Sequence, residues 1–85
     1  MDKLEKLMSA LTDYELGVLK DWFEIPENKE KAEKETPEEL AYDIVLSLSW
    51  HYKGVDSDDL PKGYNGAERR EFLWKKAKEL GLEGK

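Results

Sequence analysis

Apolar residues recur at the spacing of α-helices along most of the chain, and this pattern constrains the fold more than any other feature. Leu4, Leu7, Met8 and Leu11 fall at i, i+3, i+4 and i+7, which places them on one face of a helix. No run of β-branched residues alternates with a period of two, as a half-buried strand would require. The sequence therefore predicts an all-α fold.

Capping signals and helix breakers set the ends of four predicted helices. The stretches TDYE (12–15) and TPEE (36–39) have the spacing of capping boxes, in which a side chain at each end satisfies a backbone N–H at the helix start. Gly54 and Gly81 are expected to end the last two helices in a left-handed conformation, with Leu82 folding back on the final turn. We predict a compact small bundle of four helices, at approximately 2–10, 13–24, 37–53 and 66–80.

Residues 26–35, which read PENKEKAEKE, are predicted to form a charged linker. Pro26 opposes continuation of the second helix, and the alternating charges that follow include no apolar stripe that could dock on a core. In the second helix itself, one broad apolar arc is assigned to the core; it comprises Leu16, Leu19, Trp22 and Phe23, widened by Val18 and Ile25. A chain of 85 residues supports one core, so residues 1–85 are predicted to form a single domain.

The charge balance and the lack of cysteine exclude several classes of function. The formal net charge is −6: residues 1–59 carry seven basic and sixteen acidic side chains, and residues 60–85 carry seven basic and four acidic ones. An acidic body repels nucleic acid, so a nucleic-acid partner is not expected. The absence of cysteine rules out disulfides and thiolate zinc sites and favours a cytoplasmic protein. No signal peptide and no apolar run of membrane-spanning length is present, so a membrane partner is not expected either.

One face of the third predicted helix carries an acid, a hydroxyl and an imidazole. Asp43, Ser47 and His51 are four residues apart and therefore neighbours along that face. A serine in a regular helix lacks the strained turn and the oxyanion donors that acyl transfer needs. We therefore predict no catalytic residue, no cofactor and no enzymatic activity; the stripe faces solvent or a partner, and His51 lies at the edge of the core.

The acidic loop after the third helix starts like a calcium-binding loop but does not continue like one. Asp56 and Asp58 supply the first two ligand positions. Leu60 stands where the next ligand should be, Pro61 where a glycine is required and Ala67 where the final glutamate belongs. We predict a short capped turn, and no metal site.

The start of the fourth predicted helix collects groups that suit an anion. Free backbone N–H groups and the positive end of the helix dipole favour a phosphate there. The residues concerned are Lys62, Asn65, Gly66, Arg69 and Arg70. A phosphate or nucleotide site is thus an alternative hypothesis, although KGYNG is no P-loop and the basic side chains could instead pair with nearby acids.

The third predicted helix has more apolar circumference than a single core contact needs. Its main stripe consists of Leu40, Ala41, Ile44, Val45, Leu48 and Tyr52. Tyr42, Leu46 and Trp50 form a second stripe about 150° away, and Phe72 points away from the apolar stripe of the fourth helix. These four residues are the predicted protein-interaction surface. The alternative is that the third helix is central and buried on two sides.

The second half of the chain resembles the YaaW family of uncharacterised bacterial proteins. The resemblance is strongest over 54–82, where a helix ends in glycine, an Asp–Ser pair follows, and a glycine-rich turn opens a helix with a basic–Glu pair and a leucine-rich end. The matching residues are Gly54, Asp56, Ser57, Gly66, Arg70, Glu71, Leu73 and Leu80. The chain departs from the family in carrying Lys62 and Gly63 in place of Arg-Gly and in lacking its long carboxy-terminal region. The resemblance implies a compact helical module and assigns no activity.

These observations favour a small acidic cytosolic protein-interaction or regulatory module, an adaptor or inhibitor that uses the surface of the third helix. Its partner would be another protein or a second copy of the chain. Two alternatives stay open. The first is a binder of a small anionic ligand at the start of the fourth helix, and the second is an acidic mimic of nucleic acid.

Overall fold

A computed structural model describes residues 2–82, which form five α-helices and one 3₁₀ turn. The helices are α1 (Lys3–Ser9), α2 (Asp13–Phe23), α3 (Pro26–Lys34), α4 (Pro37–Gly54) and α5 (Gly66–Glu79), and the 3₁₀ turn is Ser57–Asp59. No strand occurs within the described residues, so the all-α prediction is confirmed for them. The predicted number of four helices was wrong, and the outermost ends of the predicted 1–85 domain lie outside the described residues.

The additional helix, α3, occupies the segment that we predicted to be a linker. Pro26 lies in its first turn, where a missing N–H is no loss. Lys34 and Glu30 form an i,i+4 ion pair at 3.0 Å, and the Asn28 side chain donates to the carbonyl of Trp22 at 3.1 Å. None of the residues of α3 is buried. The linker prediction was wrong because it assumed that a helix here would need an apolar stripe. This short helix is stabilised instead by local hydrogen bonds and the ion pair between Lys34 and Glu30.

Both predicted capping boxes form. The Thr12 hydroxyl accepts from the backbone N–H of Glu15 at 3.3 Å, and the Glu15 carboxylate accepts from the N–H of Thr12 at 2.9 Å. Thr36 and Glu39 repeat this arrangement at 3.2 and 3.0 Å. The starts of α2 and α4 are therefore determined by local sequence, as expected.

The two helix-ending glycines behave differently. Gly81 has φ of +70°, and the N–H of Leu82 reaches the carbonyl of Ala77 at 2.8 Å, which is the Schellman ending that the sequence predicts. Leu82 is buried against the core, as expected. Gly54, by contrast, is the last residue of α4 and is followed by the extended residue Val55. The predicted left-handed ending at Gly54 was therefore wrong.

Helix α4 is central, and α1, α2 and α5 pack on it. Its predicted main stripe is buried apart from Leu40, which is half-buried against the core. The neighbouring elements contribute the other buried apolar residues: Leu7, Leu19, Leu60, Leu73, Ala77 and Leu82. Among residues 2–82, no helix combines the length and the apolar composition needed to cross a lipid bilayer.

Candidate functional site

A buried carboxylate joins α2, α4 and α5. Glu15 of α2 is fully buried. Arg69 of α5 donates to it twice, from Nε to Oε2 at 2.8 Å and from Nη2 to Oε1 at 2.7 Å, and the Tyr52 hydroxyl of α4 donates to Oε2 at 2.7 Å. Two-pronged bonds between a guanidinium and a carboxylate are among the strongest that proteins make. This cluster fixes the relative positions of three helices.

The hydrogen bonds of the cluster keep Glu15 ionised. Burial alone would raise the pKa of Glu15, but the bonds from Arg69, from the backbone of Thr12 and from Tyr52 outweigh it and lower the pKa. The pKa of Tyr52 is raised, first by burial and then by its bond to the carboxylate, so Tyr52 keeps the proton that it donates. The local sequence around Glu15 predicts only its capping box and gives no sign of this second role.

The groups proposed to bind an anion are mostly turned toward the protein itself. Arg69 is neutralised by the buried carboxylate, and the Asn65 side chain already accepts from a backbone N–H of the first turn of α5 at 3.1 Å. Arg70 donates to a serine hydroxyl of α4 at 3.4 Å. Gly66 packs close to the α4 backbone, and Lys62 is exposed. The geometry therefore supports the anion hypothesis less than the hypothesis of a protein partner.

An open groove lies between α2 and α4. It has a volume of about 580 Å³ and is lined by Val18, Leu19, Asp21, Trp22, Ile25, Ser47, Trp50 and His51. Trp50 is 63% exposed and Ile25 is 48% exposed, so large apolar groups face water at the edge of the groove. Lys53 lies against the Trp50 indole, with its Nζ 4.9 Å from the ring centroid.

The imidazole of His51 is held in the wall of this groove. Its Nε2 lies 2.6 Å from the Tyr14 hydroxyl, and its ring packs against Tyr14 and Tyr52 with centroids 5.7 Å away in each case. Burial, helped by nearby Tyr64 and Asp59, raises the pKa of Tyr14, so its phenol stays protonated. His51 thus lies at the edge of the core, as the sequence predicts.

The acid, hydroxyl and imidazole stripe of α4 does not form a hydrogen-bonded relay. His51 is engaged by Tyr14, whereas Asp43 faces Lys31 of α3 at 3.4 Å. Ser47 lines the groove between them.

The four predicted interaction residues fall into different environments. Tyr42 packs against Trp74 of α5, with ring centroids 6.1 Å apart, and Leu46 is half-buried. Phe72 is 37% exposed and lies beneath Arg69, whose guanidinium carbon is 4.4 Å from the ring centroid. Only Trp50 lines the groove. The predicted surface therefore contracts to Trp50 on α4, and its neighbours across the groove come from α2.

The α2 wall of the groove was missed because its residues were assigned to the core. Val18, Trp22 and Ile25 are spaced i, i+4 and i+7, which is itself the pattern of one helical face. Leu19 both belongs to the core and lines the groove, Val18 also packs against the core, and Phe23 packs against the core without lining the groove. The groove and core faces of α2 therefore overlap, and the apolar arc alone does not distinguish them.

The acidic loop forms a turn. Ser57–Asp59 is the 3₁₀ turn, and Leu60 after it is buried. Asp56 occupies the N-cap position of this turn, but its side chain makes no capping hydrogen bond. Within residues 2–82, no cluster of three or more His, Asp or Glu side chains is placed to hold a metal ion.

Two carboxyl groups meet where α3 joins α4. One carboxyl oxygen of Glu35 is buried beside Asp43, and Lys31 approaches Asp43 from α3. Burial raises the pKa of Glu35 to about 7; the hydrogen bond to Asp43, the charge of Asp43 and the charge of Glu39 act in the same direction, and Lys31 opposes them. Near neutral pH this junction therefore exchanges a proton with solvent.

This junction makes the stability of the fold depend on pH. The pKa of Glu35 is about 7 in the folded chain and about 4.5 in a free side chain, so between these values the folded state holds a proton that the unfolded chain has released. We expect the stabilisation to be complete below about pH 4.5 and to disappear as the pH rises through about 7. Urea unfolding from about pH 5 to about pH 8.5 measures it.

The variant Glu35→Gln mimics the protonated side chain, so its free energy of unfolding should depend less on pH than that of the wild type. Glu33→Gln, which changes an exposed carboxylate two residues earlier in α3, is the matched control and should leave the dependence in place. A Glu35→Gln protein whose stability still falls over this pH range as steeply as the wild type would contradict the assignment.

Comparison with known proteins gives no family for this chain. No protein-family model, no curated protein and no solved structure matches it. The resemblance to the YaaW family therefore stays a hypothesis, and the function has to be inferred from the groove and its surroundings.

Proposed function

We propose that this chain is a protein-interaction module whose groove between α2 and α4 receives a segment of another protein. The observation that carries the proposal is the 63% exposure of Trp50 at the edge of that groove. Tryptophan is enriched among the residues that dominate binding energy, since it combines a large apolar area with few rotatable bonds. An exposed indole next to apolar groove residues contributes most to the binding free energy when a partner removes both from water.

The form of the groove supports recognition of a helix. Two helices supply its walls, and partner helices commonly place apolar side chains into grooves of this kind. Its polar members, Asp21, Ser47 and His51, are suited to orienting a ligand. We propose the role of an adaptor or inhibitor in a reducing cytoplasm, with no catalytic step.

A peptide selection tests the proposal without knowledge of the partner. A phage-displayed library of random peptides about 16 residues long, enough for about four helical turns, is selected on the immobilised protein. Peptides are retained only if they do not bind the Trp50→Ala variant. We expect enriched peptides whose affinity falls by about 2 kcal/mol or more in Trp50→Ala, measured by isothermal titration calorimetry.

The matched control is Leu16→Ala, which removes an exposed leucine of α2 that does not line the groove. This variant should bind the selected peptides as the wild type does. If selection yields no peptide that discriminates Trp50→Ala from the wild type, or if Leu16→Ala loses as much affinity, the groove is not the recognition surface.

A further inference from the structure

We infer that the partner segment is a basic amphipathic helix, which places apolar side chains on the floor of the groove and a lysine or arginine beside Asp21. This inference rests on the proposed function and specifies the chemistry of the partner.

The charge around the groove selects a basic occupant. Asp21 is the one formally charged group among the eight residues that line it, with His51 counted as neutral. The groove also lies in the part of the chain, residues 1–59, that carries sixteen acidic and seven basic side chains. The nearby base Lys53 is held against the Trp50 ring. A basic segment is therefore attracted and an acidic one repelled.

The same charges disfavour a second copy of this chain as the occupant. Each copy carries a formal net charge of −6, so two copies repel each other as they approach. In a symmetric pair of copies, the two grooves would face each other. Each Asp21 would then be buried opposite a groove whose lining includes no lysine or arginine to pair with it.

The dimensions of the groove match a helix. The lining runs over seven residue steps, from Val18 through Trp22 in α2 to Ile25, which lies just past the end of α2 at its junction with α3. An amphipathic partner helix presents apolar side chains at i, i+3 or i+4, and i+7 over the same length. Asp21 lies on the same stretch of α2, so a basic side chain next to the apolar stripe of the partner comes within its reach.

The aromatic side chains add to the preference for a cation. Trp22 and Trp50 line the same groove as Asp21. An indole attracts an ammonium or guanidinium group through the negative face of its ring. Lys53 already lies over the Trp50 ring. The Asp21 carboxylate and the Trp22 indole are therefore the groups that favour a lysine or arginine over a neutral side chain of similar length.

Three designed peptides of about 18 residues, each forming about five helical turns, test the inference. All have leucine at i, i+3, i+4 and i+7; the other positions are lysine in the first, glutamine in the second and glutamate in the third. Isothermal titration calorimetry at low salt should show the lysine peptide binding at least about tenfold more tightly than the glutamine peptide, with the glutamate peptide weakest. About 0.5 M NaCl should weaken the lysine peptide most.

Variants localise the preference to the groove. Asp21→Asn should reduce the advantage of the lysine peptide over the glutamine peptide to less than about threefold, whereas Asp13→Asn, which removes one exposed acid of the same helix, should preserve it. Trp50→Ala should weaken the lysine peptide by about 30-fold. Together these results would support a basic helix seated in the groove.

Other results would overturn the inference. If the glutamine peptide binds as tightly as the lysine peptide and both need Trp50, the groove binds helices but does not prefer basic ones, and the proposed function survives alone. If the lysine peptide binds Trp50→Ala as well as the wild type, the attraction is nonspecific. If none of the three peptides binds, the partner is not an amphipathic helix of this kind. A Trp50-dependent dimer in analytical ultracentrifugation would identify a second copy as the occupant.

Discussion

Replacing Arg69 by methionine should lower the free energy of unfolding by about 3–5 kcal/mol, because it leaves a buried carboxylate without its partner. Glu15 is fully buried and receives two of its hydrogen bonds from this guanidinium. Methionine keeps much of the aliphatic volume of arginine, so the loss reports the missing charge and hydrogen bonds. Urea unfolding followed by circular dichroism measures the change.

Two further measurements separate loss of the ion pair from a general disturbance. The double variant Arg69→Met with Glu15→Gln contains no buried charge at this position and should recover part of the stability that the single variant loses. The single variant should also approach the wild type at acidic pH, where the unpaired carboxyl group takes up a proton. If the free energy of unfolding of Arg69→Met lies within about 0.5 kcal/mol of the wild-type value, the ion pair does not hold the helices together.

Truncating Leu48 should produce the second large effect, a loss of about 2–5 kcal/mol for Leu48→Ala. Leu48 is fully buried on the core face of α4, so alanine leaves a cavity at the centre of the bundle. A small domain has about 5–15 kcal/mol of stability in total, and the variant should therefore melt at a much lower temperature.

Trp50 provides the contrast to Leu48 because it lies two residues further along the same helix. It is 63% exposed, and Trp50→Ala should change the free energy of unfolding by less than about 0.5 kcal/mol although it removes a larger side chain. Differential scanning calorimetry of both variants gives the comparison. Equal losses for the two variants would place Trp50 in the core and remove the basis of the proposed recognition surface.

The features that local sequence determines were predicted well. The starts of α2 and α4 depend on pairs of residues three apart, such as Thr36 and Glu39. The end of α5 depends on Gly81 and on the return of Leu82 to the core. Each of these signals is complete within a few neighbouring residues, and for this reason no knowledge of the fold was needed.

The features that were missed depend on residues far apart in the chain. Glu15 and Arg69 are separated by 54 positions, and each has an ordinary local interpretation, one in a capping box and the other beside a helix start. Charge near the start of α5 suggested an anion from outside, and the structure shows that Arg69 is paired with a carboxylate of the protein itself. Nothing in either local sequence indicates the other.

The groove could have been predicted in part. The sequence identifies Trp50 as surplus to the core of α4. On the helical wheel, however, Trp22 and Val18 of α2 fall in the same broad apolar arc as the core residue Leu19. The sequence contains both walls. It does not show how α2 and α4 pack against each other. The groove forms only because the two helices are arranged so that their apolar faces make a concave surface.

Apart from Lys31, which pairs with Asp43 of α4, helix α3 gives the chain a segment that natural variation can alter at little cost. Since α3 buries none of its residues, a substitution on its outer side creates no cavity and strands no interior charge. Over evolutionary time, such a segment can acquire modification sites or new surface charge at little risk to folding. Its junction with α2 lies at Ile25, which also lines the groove, so a substitution there can change the shape of the groove without changing a buried residue.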